Sequence, residues 1–419
     1  MAMSDLRPPE DGHPFPASLH RRQHEVQAVA GRAGCLAAAW TDDTMTSGTS
    51  GWTCGFSVSL DRGRSWSPPL FRKHPDFAVT GNPTIAINAS GAVFAISMAV
   101  DADYRRGVLE CACSTDSGAS WTPWRTVVSR DHGIPDRPKL LAAASGDLHL
   151  VFAAVEPTGR MWKALRSTIQ HMTSPDRGQT WSAPRELSVE PRRSRWLIDG
   201  FQGPAIAEAS RGELLVSWAD YYGNTVSVST SRGGGRDFEP PIRVKLKTIP
   251  GTNLRSLLLG VTFGTPVTEL AVDTSGRNVA MSVHEAHVMG EILLVTSQNG
   301  GVDWHRGTRL TTIGTNASIQ FDGTGRLHAI WTELRDGRVD VRYATSNDGG
   351  QTMSASISLS GNGARVQLPR SGEEREECEA ALGSYQSLLV SSDGAAAAFW
   401  IDLRNGLSRP RLYQSMWRV

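Results

Sequence analysis

Cysteine is scarce: five residues in 419, at Cys35, Cys54, Cys111, Cys113 and Cys378. An odd, dispersed set excludes a disulfide-built scaffold. Cys111 and Cys113 fall on one face of any strand that carries them, and a bare C-x-C pair reads as buried thiols, not a metal site. Long apolar runs are missing too. Ala395 to Ile401 is about the longest, far short of the roughly 18 residues a membrane-spanning helix needs. Net charge is almost absent, at +1, so no electrostatic bias directs the chain to nucleic acid or to an anionic membrane. The opening segment, Met1 to Gly12, has no apolar core of the kind a secretion signal carries, which leaves cytoplasmic location as the expectation. No cofactor and no metal are implied, and nothing sets an oligomeric state.

What is abundant is glycine, with 42 residues, alongside 13 tryptophans. Glycine at that density means many tight turns and short strands. One pattern recurs, Ser-x-Asp-x-Gly-x-x-Trp. It reads Ser59-Leu-Asp61-Arg-Gly63-Arg-Ser-Trp66, then Ser114-Thr-Asp116-Ser-Gly118-Ala-Ser-Trp121, then Ser174-Pro-Asp176-Arg-Gly178-Gln-Thr-Trp181. Looser copies start at Ser231, Ser297 and Ser346, with Gly233, Asn299 and Asp348 in the third position. Successive third positions are 55, 60, 57, 66 and 49 residues apart. The chemistry is that of a turn: the acid accepts backbone N–H groups, glycine takes positive φ, and the aromatic ring folds back into a core. These acids are therefore structural.

Each copy closes a larger unit made of an apolar strand, a Gly-centred turn and a second strand ending in an acid. First strands open near His24, Asn82-Pro83, Arg137-Pro138, Gln202-Gly203, Thr265-Pro266, Asn316 and Tyr385. The last unit holds three strands, so the segment before Arg21 is the candidate to supply its outer strand and close a ring. Four-stranded units of 50 to 65 residues are β-propeller blades. The expectation is an all-β chain forming a single β-propeller of four-stranded antiparallel blades, with seven blades fitting better than six. Residues 1–20 form the N-terminal segment and 21–419 the propeller.

The repeated octapeptide resembles the Asp-box, or bacterial neuraminidase repeat, of the sialidase superfamily, over nearly the whole chain from Arg21 to Val419. The resemblance implies a propeller of that superfamily. It also implies a family site of three arginines clamping a carboxylate, a Tyr nucleophile activated by Glu, and an Asp acid/base. Tyr385, in Ser-Tyr-Gln-Ser-Leu-Leu, resembles the nucleophile segment, and Asp42 or Asp43 lies near the expected acid. Elsewhere the pattern is broken. His24 stands at the first arginine's place, Gln202 at the glutamate's, and Ala219 at the second arginine's; Thr265 and Asn316 open their units without arginine. Ordinary sialic acid cleavage is not expected.

Strand openings and second-strand ends emerge on one rim around the central channel. That rim collects Tyr385, Asp43 and Asp220 as catalytic candidates. His24, Arg137, Gln202, Tyr221, His284, Glu285, Asn316, Glu333 and Arg404 join them as ligand-binding candidates. A plainer account has each acid capping its own turn or pairing with a nearby arginine, as Asp402 with Arg404 and Glu333 with Arg335. A metal held by His24, His284 and His287 is disfavoured, because a three-residue spacing on a strand or loop does not converge two ligands. Three functions stay open: an enzyme acting on a glycan, glycoconjugate or other polar small molecule, a non-catalytic propeller binding a ligand or protein, and a biosynthetic lyase or cyclase using the same pocket.

Overall fold

A computed structural model describes residues 12–15, 22–43, 51–157, 165–188, 199–220, 225–246, 267–284, 290–361, 363–365 and 381–419. The chain is all-β, built from antiparallel meanders. Arg22–Ala30, Leu36–Asp43, Trp52–Ser59 and Leu70–Arg72 form one four-stranded sheet; Val79–Ile87, Val93–Val100, Gly107–Ser114 and Arg125–Arg130 form the next. Two larger sheets follow. In the first, a short parallel pairing of Arg166 and Ser167 with Asp199 and Gly200 joins the meander opened by Ile134–Ala142 to the one opened by Asp199–Glu208. In the second, the 17-residue strand His305–Phe321 pairs with Gly290–Ser297 on one side and Leu327–Arg335 on the other. The last sheet comprises Ser387–Val390, Ala395–Asp402 and Arg411–Arg418, with His13–Pro14 as its outer strand.

The opening strand of each meander packs against the opening strands before and after it, and the last packs against the first, so the inner strands close a ring. The seam is held from both ends of the chain. His13 pairs with Gln414, Phe15 N donates to Leu412 O at 2.9 Å, and Leu412 N donates to the Gln23 side chain at 2.8 Å. Phe15, 1% exposed, fills the space between Trp40, Trp66 and Phe399.

Second strands are buried along most of their length, and Leu36–Asp43 and Val93–Val100 throughout, because both of their faces meet a neighbouring blade. This is why they read as continuous apolar runs rather than alternating ones. The octapeptide turns sit at one end of the blades and form the network their residues dictate. In the first, Ser59 Oγ accepts from Gly63 N at 2.7 Å and donates to Asp61 at 2.8 Å, and Asp61 accepts Ser65 N at 2.8 Å and Ser65 Oγ at 2.6 Å. The copies at Ser114, Ser174 and Ser346 repeat these bonds. Even the acid-less copy keeps Gly235 N on Ser231 Oγ at 2.9 Å. Cys35, Cys54, Cys111 and Cys113 are buried free thiols. Among the described residues, no helix is long and apolar enough to cross a membrane.

Candidate functional site

At the opposite end of the blades, five of the inner strands share an irregularity. Register slips between His24 and Gln27, Gly81 and Thr84, Asp136 and Lys139, Gln202 and Ala205, and Thr315 and Ser318. Each slip is a β-bulge, and in each one residue takes positive φ: Glu25 (53°), Asn82 (46°), Arg137 (53°), Gly203 (58°) and Asn316 (53°). Three of the five are followed by proline, whose missing N–H suits a position outside the ladder. A bulge re-aims side chains toward one face. Here it lets the neighbours Asp136 and Arg137, and Lys139 beyond them, share one electrostatic cluster. Left-handed backbone costs of order 1–3 kcal/mol at residues other than glycine, and asparagine bears it best. At Glu25 and Arg137, neither residue type eases it.

These bulges define the equivalent positions, and they correct the sequence reading by one residue in two places. The first inner strand presents Glu25, not His24, and the fourth presents Gly203, not Gln202. His24 is turned into the seam. Its ring is 3% exposed, stacks on Trp52 at 5.3 Å, and its Nδ1–H donates to Ala381 O at 3.0 Å. Burial lowers its pKa to about 4, so it stays a neutral imidazole. Gln202, 1% exposed, reaches the Ser167 hydroxyl at 3.4 Å.

What the inner strands bring together is a compact charged cluster around Tyr385. Lys139 donates to Glu269 at 2.5 Å, and its ammonium lies 4.3 Å from the centre of the Tyr385 ring. Inner strands well separated in sequence thus meet through three side chains. Asn82 donates to Asp136 at 3.2 Å, Arg137 Nε is 3.7 Å from Asp136, and Asn316 donates to Gly383 O at 2.9 Å. Gly383 lies so close to Glu25 that a Cβ there would come within 2.6 Å of Glu25 Cγ. Thr41 donates to Glu25 at 3.4 Å.

The electrostatics follow from this crowding. Burial raises the Glu25 carboxyl, with Arg137 opposing and Asp136 adding to the rise. Burial also raises Asp136, again against Arg137. The Tyr385 phenol is pushed well above its ordinary range by burial. Arg137 opposes that shift, while Glu25, Asp136 and Glu269 reinforce it. Tyr385 is 2% exposed, and its hydroxyl has no hydrogen-bonding partner among the described residues. Burial raises the Tyr104 phenol, and Asp136 and Glu25 add to the rise.

The remaining residues expected at the rim are dispersed. Asp43 is 4% exposed with Arg22 at 3.6 Å; burial raises its carboxyl and Arg22 opposes. Asp220 ends its strand opposite Phe201. Glu333 accepts the Trp331 indole at 3.2 Å, a Trp-x-acid bond repeated by Trp40 with Asp42 and by Trp400 with Asp402. The expected Glu333–Arg335 pair does not form: Arg335 stands 3.7 Å from Asp336. Arg404 is committed to Asp402 at 2.9 Å and lies over the Tyr413 ring at 4.3 Å. Tyr221 and Glu285, with Thr265 and His287, lie outside the described residues, as does the side chain of His284. Counting strands missed Glu25, Asp136, Lys139, Glu269 and Tyr104. The run Asp136-Arg137-Pro138-Lys139 carried a usable signal, since three charges flank a proline at a strand opening.

No protein-family model matches the chain, and no curated protein matches it by sequence. Solved structures do match in fold. A Hadza microbial sialidase aligns over 97% of this chain and 68% of its own, with TM-score 0.55 and 14% identity. A protein of unknown function from Dyadobacter fermentans aligns over 100% of both chains, with TM-score 0.56 and 12% identity. An α-L-arabinanase of Penicillium chrysogenum, complexed with arabinobiose, aligns over 98% of both, with TM-score 0.54 and 11% identity. At such identities the likeness is one of fold.

Proposed function

From the premise of a sialidase-like β-propeller, we propose that this chain is a glycan-acting enzyme whose ligand, neutral and hydroxyl-rich, enters the inner-strand cluster around Tyr385. One observation carries the reading. A nearly fully buried phenol, its hydroxyl unpartnered among the described residues, sits among ionisable groups from several blades, and a buried donor without a partner is costly unless something else meets it.

The charge balance argues for a neutral ligand. The cluster holds Glu25, Asp136 and Glu269 against Arg137 and Lys139, three potential anions and two cations. A carboxylate clamp needs the reverse excess. In glycoside chemistry a pair of carboxyls divides acid and base roles when their environments hold a proton on one of them. Glu25 and Asp136, both raised and both facing Arg137, are the pair assigned to that task. Tyr385, kept as a phenol by its surroundings, donates its hydrogen bond to a ligand oxygen. The fold likeness to a sialidase and to an arabinan-acting enzyme is consistent with a glycan.

The test is a panel of aryl glycosides and short oligosaccharides, neutral and sialylated, assayed for turnover and for binding by calorimetry. The expected result is engagement of at least one neutral compound, lost in Tyr385→Phe. Robust cleavage of sialosides, or binding untouched by Tyr385→Phe, overturns the reading.

A further inference from the structure

The Lys139–Glu269 pair does not belong to any repeat, and it sits where the inner strands converge. We propose that Lys139, held in place by Glu269, is a positioning residue for Tyr385: its ammonium fixes the ring and polarises the hydroxyl toward the ligand. The inference rests on the reading that Tyr385 faces the ligand, but it makes a claim about the phenol that can be measured without one.

Lys139 Nζ is 2.5 Å from Glu269 Oε1 and 4.3 Å from the centre of the Tyr385 ring, so the ammonium is pinned between a carboxylate and an aromatic face. Both partners of the pair are largely buried, at 13% and 23% exposure, where charge interactions are screened far less than at the surface. A cation over a phenol ring is drawn to the negative π face, and it stabilises negative charge on the ring oxygen more than the neutral form. Lys139 therefore makes the O–H a stronger donor, while Glu269 limits that effect and holds the lysine off the solvent. Among the described residues, the other charged groups acting on Tyr385 are Arg137, Glu25 and Asp136, and these stay constant across variants of the pair. A surface ion pair of no consequence would have neither the shared aromatic partner nor the burial.

The experiment places a fluorinated tyrosine, whose phenol ionises nearer neutral pH, at position 385 of the full chain and follows phenolate absorbance against pH. Lys139→Met should raise the midpoint by about one unit, a tenfold loss of acidity. Lys139→Arg should restore it to within a few tenths. Glu269→Gln should move it the other way, downward. Loosened packing would shift Lys139→Met and Glu269→Gln in the same direction. Shifts of one sign, or no shift in Lys139→Met, overturn the proposal. Thermal melts of each variant verify folding before titration. Because no ligand enters the titration, it stands or falls apart from the glycan panel: opposite shifts with no glycan bound would leave the tuning intact and the substrate reading refuted.

Discussion

The two ends of the blades use the same strands for opposite purposes. At the octapeptide end, the acids accept bonds from their own turn, and the carboxyls of Asp61, Asp116 and Asp348 are drawn down to about 2. At the channel end, equivalent bulge positions carry Glu25, Asn82, Arg137, Gly203 and Asn316, no two neighbours alike. There the carboxyls of Glu25 and Asp136 are driven up instead. One end repeats because its residues satisfy one another locally, so the same solution serves every blade. The other end varies because its side chains meet across blades, as Asn82 does with Asp136 and Asn316 with Gly383. On the proposed reading, stability and function are thereby separated along the strand axis.

The sharpest way to break that separation is Glu25→Gln. On the glycan reading it should cut turnover at least a hundredfold, about 2.7 kcal/mol of barrier, with no fall in melting temperature. A comparable loss from Asp116→Asn at full stability would show that the two ends are not distinct in role.

The second contrast is in titration. Carboxyl resonances followed by NMR should place Asp116 at about 2, and Glu25 and Asp136 above the ordinary range of their type. The consequences for stability have opposite signs. A box carboxyl lowered from 3.8 to about 2 binds fewer protons folded than unfolded. Its stabilisation is complete above about pH 4 and fades as pH falls toward 2. A raised carboxyl binds more protons folded than unfolded, so Glu25 and Asp136 destabilise the fold at neutral pH, and acidification relieves that cost. Box and channel carboxyls titrating together would erase the comparison.

Smaller, and confined to the turn end, is Ser114→Ala. Ser114 is 1% exposed and its Oγ both accepts from Gly118 N and donates to Asp116, each at 2.8 Å. Leaving a buried N–H without its acceptor should cost about 1–2 kcal/mol in denaturant unfolding and leave ligand binding unchanged. A loss of binding at preserved stability would move function to this end.

Much of the turn end is legible in the amino-acid sequence. The octapeptide carries its own chemistry, a hydroxyl, an acid and a glycine at fixed offsets, and so can be read wherever it occurs. The second strands are legible as buried apolar runs, and three bulges are marked by a following proline. Glu25 is followed by Val26 and has no such marker. A bulge adds one residue that period-two counting does not see, which is how His24 and Gln202 take the places of Glu25 and Gly203. The cluster itself is out of reach for a different reason. Lys139 and Glu269 are 130 residues apart, and their meeting depends on ring closure, not on any local pattern.

The subtlest prediction turns on strain. Glu25 is held at a φ of 53°, where a Cβ crowds the backbone, and it carries a carboxyl whose ionised form is disfavoured by burial. Among the described residues of the first blade its hydrogen bond is from Thr41 and is long, at 3.4 Å, while Ser384 of the last blade supplies another. Replacing Glu25 by glycine removes the steric penalty and the buried acid together. It also returns some entropy to the unfolded chain, a loss of roughly 0.5–1 kcal/mol. The balance should leave Glu25→Gly more stable than the parent by about 1 kcal/mol and inactive on any ligand the parent engages. Glu25→Ala keeps the Cβ at positive φ, so it should gain less. If Glu25→Gly instead melts well below the parent, the glutamate is holding the seam with Gly383 together. The bulge would then be a structural device like the octapeptides, and the contrast between the two ends of the blade would be lost at this position.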